Sequence, residues 1–130
     1  MLFKNFKPDM YYKDIFSINY SKLRSKGIKC LLFDLDNTIE PIIIPYPDSE
    51  DIRLFSKLKI MGFKVIVMSN SKRERVVGFA KKLGVDYNFL SAKPFIKAYL
   101  KLMYKYNFKS YEIAAIGDQI VTDVYGANNA

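Results

Sequence analysis

Asp34 and Asp36 stand one residue apart at the end of an apolar run, Cys30-Leu31-Leu32-Phe33, and a polar turn, Asn37-Thr38, follows at once. A bounded apolar run of this length reads as a strand buried on both faces, the kind found in parallel sheets. Carboxylates where such a strand ends lie at the carboxyl edge of the sheet, where open α/β folds put their ligands. Two acids about 4 Å apart repel by roughly 4 kcal/mol at an effective dielectric of 20. A lone Asp here would read as a cap for the turn. A pair costs stability, and the cost makes sense if a cation sits between them.

Three more polar clusters punctuate the chain in the same way. Ser69 and Asn70 follow the apolar stretch Phe63 to Met68, Lys93 follows Val85 to Leu90, and Asp118 and Asp123 follow Glu112 to Ile116. In a parallel sheet all four clusters converge on one edge. Together they offer a nucleophilic or metal-binding carboxylate, hydroxyl and amide donors, one cation and further carboxylates. That set suits attack on a phosphoryl group with Mg²⁺ neutralising charge. The chain has no histidine, so acid–base work falls to carboxylates, Lys or Tyr.

The elements that must position these residues are legible from spacing. Asp48 offers an N-cap, then Ile52, Phe55, Leu58 and Met61 recur at helical intervals up to Gly62. Ser71-Lys72-Arg73-Glu74 has capping-box form, with Val76, Val77, Ala80 and Leu83 on the buried side and Gly84 as the stop. Pro94 suits the first turn of a helix lined by Ile96, Tyr99, Leu100, Met103 and Tyr106. Strands alternate with helices throughout, which predicts a three-layer α/β/α sandwich on a parallel, Rossmann-like sheet with right-handed crossovers. Between Ile39 and Pro47 three prolines forbid a helix and predict an extended flap near the site. The gaps from Thr38 to Ser69 and from Asn70 to Lys93 are too short for a cap domain, so the site should be open.

Length and composition set the frame. At 130 residues the chain reads as one domain, with a basic aromatic arm at 1–27 and a catalytic core at 29–130. The one cysteine, Cys30, excludes an intrachain disulfide and fits a reducing, cytoplasmic setting. No apolar run approaches membrane-spanning length, and the start lacks a signal-peptide layout. The net charge is +8, and setting aside Asp34, Asp36, Asp118 and Asp123 leaves 21 cations against nine acids. A surface that basic attracts nucleic acid, anionic lipid headgroups or phosphorylated substrates. The first 30 residues carry seven cations against two acids, interleaved with aromatics. That arm could lie on an anionic membrane or pack its aromatics on the domain.

The stretches Asp34-Leu35-Asp36-Asn37-Thr38, Ser69-Asn70, Lys93-Pro94 and Gly117-Asp118-Gln119-Ile120-Val121-Thr122-Asp123 resemble the four motifs of the haloacid dehalogenase (HAD) superfamily. More narrowly the chain is similar, nearly end to end, to the YqeG-type branch of subfamily IIIA, related to phosphatidylglycerophosphate phosphatases. The resemblance implies Asp34 as nucleophile, forming an aspartyl-phosphate, and Asp36 as general acid and then base. It implies Mg²⁺ held by Asp34, the backbone carbonyl of Asp36 and Asp118, with Asp123 beside the ion or just behind it. Ser69 and the amide of Asn70 would grip phosphoryl oxygens, Lys93 would neutralise them, and Thr38 would orient the nucleophile loop.

Two departures qualify the likeness. The chain stops at Ala130 where relatives continue into a further strand, so a C-terminally truncated core is expected, with the fourth strand of the sheet an uncovered edge. The ending Gly126-Ala127-Asn128 also differs from the Gly-Asn-Arg typical of the YqeG-type branch. The expected function is a Mg²⁺-dependent phosphatase acting on phosphatidylglycerophosphate at the inner membrane face. The alternatives are a nucleic-acid end or phosphoprotein phosphatase, and a non-catalytic phosphate-binding module of the same fold. A retired enzyme should have lost one of Asp34, Asp36, Lys93 or Asp118, and the chain keeps all four.

Overall fold

The apolar runs become strands and the helical spacings become helices, in the alternating order that the sequence predicts. The computed structural model describes residues 10–36, 38–41, 43–69, 72–89, 95–117 and 120–123. Four parallel strands form the centre of the sheet: β2 (Cys30–Asp34), β3 (Lys64–Ser69), β4 (Asp86–Phe89) and β5 (Ile113–Gly117). Beyond β5, β6 (Ile120–Asp123) runs antiparallel to these four and β1 (Met10–Tyr11) pairs antiparallel with β6, giving the order β1-β6-β5-β2-β3-β4. Side chains alternate across each strand, and the alternation sorts two cores. Leu31, Phe33, Val65, Val67 and Ile116 pack with helices α1 (Tyr20–Ser25), α2 (Ser49–Ile60) and α3 (Arg73–Leu83). Cys30, Leu32, Ile66, Met68 and Ala115 pack with Leu102 of helix α4 (Phe95–Tyr106) on the opposite face. The result is the three-layer α/β/α arrangement.

The register fixes where the strands end. Asp34 pairs with Met68, Phe33 with Ile116, and Ser69 with Phe89. Asp34, Ser69, Phe89 and Gly117 therefore lie within about one residue of a common edge, some 3.3 Å of strand rise.

Three helix faces differ from the spacing argument. On α2 the buried residues are Asp51, Phe55 and Leu58, while Ile52 is exposed. On α3 Phe79 is buried and Val77 only partly so. On α4 Leu102 is buried where Leu100 faces solvent. Each difference shifts the buried face by one or two residues in sequence, a choice that depends on the packing partner and not on spacing. Helix α3 also begins one residue later than a Ser71 cap implies: Lys72 is the N-cap and gives no side-chain cap bond. Asp48 does cap α2, in a reciprocal capping box with Asp51. Gly84 ends α3 in the left-handed conformation (φ 69°) that favours glycine.

The expected bare edge is absent. After Gly117 the chain returns as β6, whose Ile120 and Val121 pair with Gly117 and Ile116 on one side and with Tyr11 and Met10 on the other. The edge strands among the described residues are β1 and β4. Part of the N-terminal arm thus belongs to the sheet and core. Ile15, Ile18, Tyr20 and Leu23 are buried, and Tyr20 donates its hydroxyl to the Ile15 carbonyl at 2.7 Å. Met1 to Asp9 lies outside the described residues. No helix among the described residues is long and apolar enough to cross a membrane.

Phe55 is fully buried with its ring centroid 4.7 Å from that of Phe33, joining α2 to β2. Phe55→Ala is expected to cost about 3–5 kcal/mol of stability. Urea unfolding at unchanged slope measures this, and a loss under about 1 kcal/mol would show that α2 does not hold β2.

Candidate active site

Asp34 closes β2, and the pairing continues one residue further, with the Leu35 amide donating to the Met68 carbonyl at 3.0 Å. Leu35 is fully buried in the core. Its burial pins the turn that carries Asp36, because the acids alternate with it along the chain. Thr38 and Ile39 complete that turn, both amides donating to the Leu35 carbonyl, at 3.4 and 3.1 Å.

The Asp36 carboxylate is gripped from two elements. The Ser69 hydroxyl donates to one oxygen at 2.9 Å from the buried end of β3, and Arg75 Nε donates to the other at 2.9 Å from the first turn of α3. The Asp36 and Arg75 side chains are only 17% and 11% exposed, so the ion pair is largely shielded from water. Removing one partner of such a pair strands a poorly solvated charge. Arg75 spends its other nitrogens on the flap: Nη1 donates to the Ile44 carbonyl, and Nη2 to that of Pro41 at 2.9 Å. Its guanidinium stacks 4.8 Å from the Phe79 ring. Beside it lies a cleft of about 290 Å³ lined by Ile43, Pro45, Tyr46, Lys72, Glu74 and Arg75.

Of the residues singled out in the sequence, the structure brings Asp34, Asp36, Thr38 and Ser69 to one edge. Asn70, Lys93 and Asp118 lie outside the described residues, each following in sequence a strand that ends at that edge. Asp123 departs from the expectation. Because β6 runs antiparallel, its backbone pairs with Ala114, three residues back from Gly117, or about 10 Å from the edge. Sequence reasoning passed over Arg75. The available signal was a cation in a helix's first turn, where the macrodipole favours acids.

It also passed over a second acidic group. Carboxylate oxygens of Glu40, Asp48 and Asp51 lie within 4.8 Å of one another. Glu40 bridges to Asp36 through the backbone, which sets this group beside the first. The capping box holds Asp48 and Asp51 together, with the Asp51 amide donating to Asp48 at 2.8 Å and the Asp48 amide to Asp51 at 3.2 Å. Burial pushes the Asp51 carboxyl up to about 8, a hydrogen bond with Glu40 and the like charges of Glu40 and Asp48 add to the rise, and the Asp48 amide opposes it. Three acids so close could hold a divalent cation, and a neutral Asp51 carboxyl also eases their mutual repulsion. The Cys30 thiol is also pushed up to about 12 by burial, which marks it as a core residue and not a nucleophile.

Because its folded pKa is raised, the Asp51 carboxyl contributes its full stability below pH ~4, where the unfolded group titrates. That contribution is lost as pH rises through about 8. The stability of wild type relative to Asp51→Asn should therefore fall between pH 4 and 8. Denaturant midpoints at pH 4, 6 and 8 measure it, and a gap that stays constant with pH would contradict the raised Asp51 carboxyl.

Comparison with known proteins agrees with this geometry. The family model for haloacid dehalogenase-like hydrolases matches residues 39–130. A Bacillus subtilis (strain 168) protein, "Probable phosphatase YqeG", is 36% identical over 128 residues, spanning 98% of this chain and 74% of its own. Among solved structures, a Vibrio cholerae protein described as a 3-deoxy-D-manno-octulosonate 8-phosphate phosphatase superposes with TM-score 0.64 at 18% identity, over 86% of this chain and 69% of the other. A Legionella pneumophila protein described as a HAD superfamily (subfamily III A) hydrolase gives TM-score 0.57 at 22% identity, over 78% and 64%. These two structures establish likeness of fold alone. With the extent of the family match and the identity to the B. subtilis protein, the chain belongs to the haloacid dehalogenase-like hydrolases and is a phosphatase homologue within them.

Proposed function

We propose that the chain is a Mg²⁺-dependent phosphatase working through an aspartyl-phosphate on Asp34. The observation that carries this is the shared edge, where Asp34 ends β2 while Asp36, two residues on, is fixed by Ser69 and Arg75. Asp34 attacks phosphorus, forming a P–O bond as the bond to the leaving alkoxide breaks, and Asp36 gives that alkoxide its proton. Asp36 then takes a proton from water, whose oxygen bonds to phosphorus as the acyl-phosphate bond breaks, releasing phosphate and restoring Asp34. Ser69 has one proton to give. Gripping a phosphoryl oxygen takes that proton from Asp36, while the Arg75 bond to the other oxygen stays in place.

The donors fit a hard divalent ion, since the chain has no histidine and the edge offers carboxylate and carbonyl oxygens. Both Asp36 side-chain oxygens are engaged, so Asp36 can offer its backbone carbonyl, beside the Asp34 carboxylate and, on the family pattern, Asp118. When bound, Mg²⁺ supplies positive charge to the transferring phosphoryl group.

The substrate best supported is a phosphorylated headgroup on an anionic membrane, with phosphatidylglycerophosphate as the specific proposal. The net charge of +8 favours an anionic surface. Lys72, Arg73 and Arg75 crowd the start of α3 against the helix dipole, which adds positive potential beside the cleft. Only α2 stands between β2 and β3, and only α3 between β3 and β4 among the described residues, so no cap restricts a headgroup projecting from a bilayer.

Purified protein with Mg²⁺ should release phosphate from phosphatidylglycerophosphate in vesicles faster than from phosphorylated oligonucleotides or phosphopeptides. EDTA should stop release and Mg²⁺ restore it. Asp34→Asn should lower turnover by at least about 10⁴-fold with the fold intact by circular dichroism. Retained turnover in that variant removes Asp34 as nucleophile. A preference for the oligonucleotide or peptide replaces the lipid reading without touching the chemistry.

A further inference from the structure

We infer that Arg75 is a positioning residue that makes the placement of Asp36 depend on the seating of the flap at Pro41 and Ile44; this rests on the acid–base role proposed for Asp36. Three of its nitrogens are committed at once, Nε to the Asp36 carboxylate, Nη1 to the Ile44 carbonyl and Nη2 to the Pro41 carbonyl. The guanidinium is planar and its donors are set in a rigid fork. It can satisfy carboxylate and flap together only with the flap in place. Stacking on Phe79 and low exposure fix the plane of the fork.

A tether that merely stabilised the flap would need only the two carbonyl bonds. The third bond goes to the carboxylate of the reaction's acid and base, and that changes its consequence. The Ser69 hydroxyl also donates to Asp36, and the proposed mechanism diverts it to the phosphoryl group. Arg75 then holds Asp36 at the moment a proton must reach the leaving oxygen. A lysine keeps the charge but loses the fork. It can serve the carboxylate or the flap, not both at the same geometry.

The test separates proton delivery from folding. An alkyl phosphate needs a proton on its leaving oxygen, whereas 4-nitrophenyl phosphate leaves readily without one. Single-turnover rates of enzyme phosphorylation are measured for both esters with wild type, Asp36→Asn, Arg75→Lys and Arg75→Ala, alongside KM and circular dichroism. Arg75→Lys and Arg75→Ala are expected to lose about 10²-fold on the alkyl ester, the scale of a misplacement of about 1 Å. On the nitrophenyl ester the loss should stay within a few fold, with KM nearly unchanged. Millimolar guanidinium should restore part of the Arg75→Ala rate on the alkyl ester.

Equal losses on the two esters in Arg75 variants, with Asp36→Asn showing the leaving-group bias, overturn the role of Arg75 and leave Asp36 as acid. No bias in Asp36→Asn removes the acid role and the inference with it. If Arg75→Ala does not fold, Arg75→Lys and Phe79→Leu, which removes the ring beneath the fork, carry the same comparison.

Discussion

Two negative charges at the end of a buried strand are the constraint that the rest of this structure answers. Strand β2 is apolar until Asp34, and Leu35 is still wholly in the core, so both acids are fixed at a buried strand end and the Asp36 side chain is only 17% exposed. Donors imported from other elements hold the Asp36 carboxylate in place. Ser69 comes from the end of β3 and Arg75 from the start of α3, 33 and 39 residues away in sequence. The parallel register brings the first within reach, and the short β3–α3 connection brings the second. A sheet with β3 antiparallel to β2 would have placed Ser69 at the opposite end of the strand.

The opposite edge of the sheet shows what ion pairs look like when they have only a structural role. Lys29 pairs with Glu112 at 2.8 Å where β2 and β5 begin, and Lys64 with Asp86 at 2.9 Å where β3 and β4 begin. Tyr106 donates to Asp86 at 2.6 Å and holds that carboxyl below its usual range, with the Lys64 bond adding to the effect. Both pairs have solvent access, so each contributes little on its own. They align strand starts. Of the three ion pairs among the described residues, Asp36–Arg75 is the one with both partners shielded, and it sits at the edge where reacting groups gather. The fold thus places weak, replaceable electrostatics at one end and a costly pair at the other.

Much of this was legible in the chain. Apolar runs broken by Asp34, Ser69 and Gly117 gave the strand ends, and Asp48 and Gly84 gave helix limits, because each signal is local and acts within one turn of backbone. The errors arose where a choice depended on partners far along the chain. Asp51 took the buried place beside Ile52 because Glu40 and Asp48 could hold its carboxyl. Phe79 outranked Val77 as the ring on which Arg75 stacks. The return strand β6 is hidden in the sequence because Ile120-Val121-Thr122 is short and lies between the two aspartates of one polar cluster. Its β-branched residues were the strand signal, and pairing with β1 on its far side completes it. Asp123 moved away from the edge for the same reason.

The flap is where these strands of argument meet. Pro41, Pro45 and Pro47 restrict its backbone before folding, which lowers the entropy lost on ordering it. The Ile44 amide donates to the Pro41 carbonyl at 2.9 Å, closing a turn whose two carbonyls then face Arg75. Tyr46 lies under the Lys82 ammonium at 4.8 Å and holds the far side of the flap to α3. Ile43, between these two anchors, remains 83% exposed beside the cleft. An exposed apolar residue on a stiff, doubly anchored turn can cover a substrate at small entropic cost. With no inserted cap among the described residues, this short turn is the element placed to shield a phosphoryl group at the edge, and on the proposal above one arginine links its seating to Asp36.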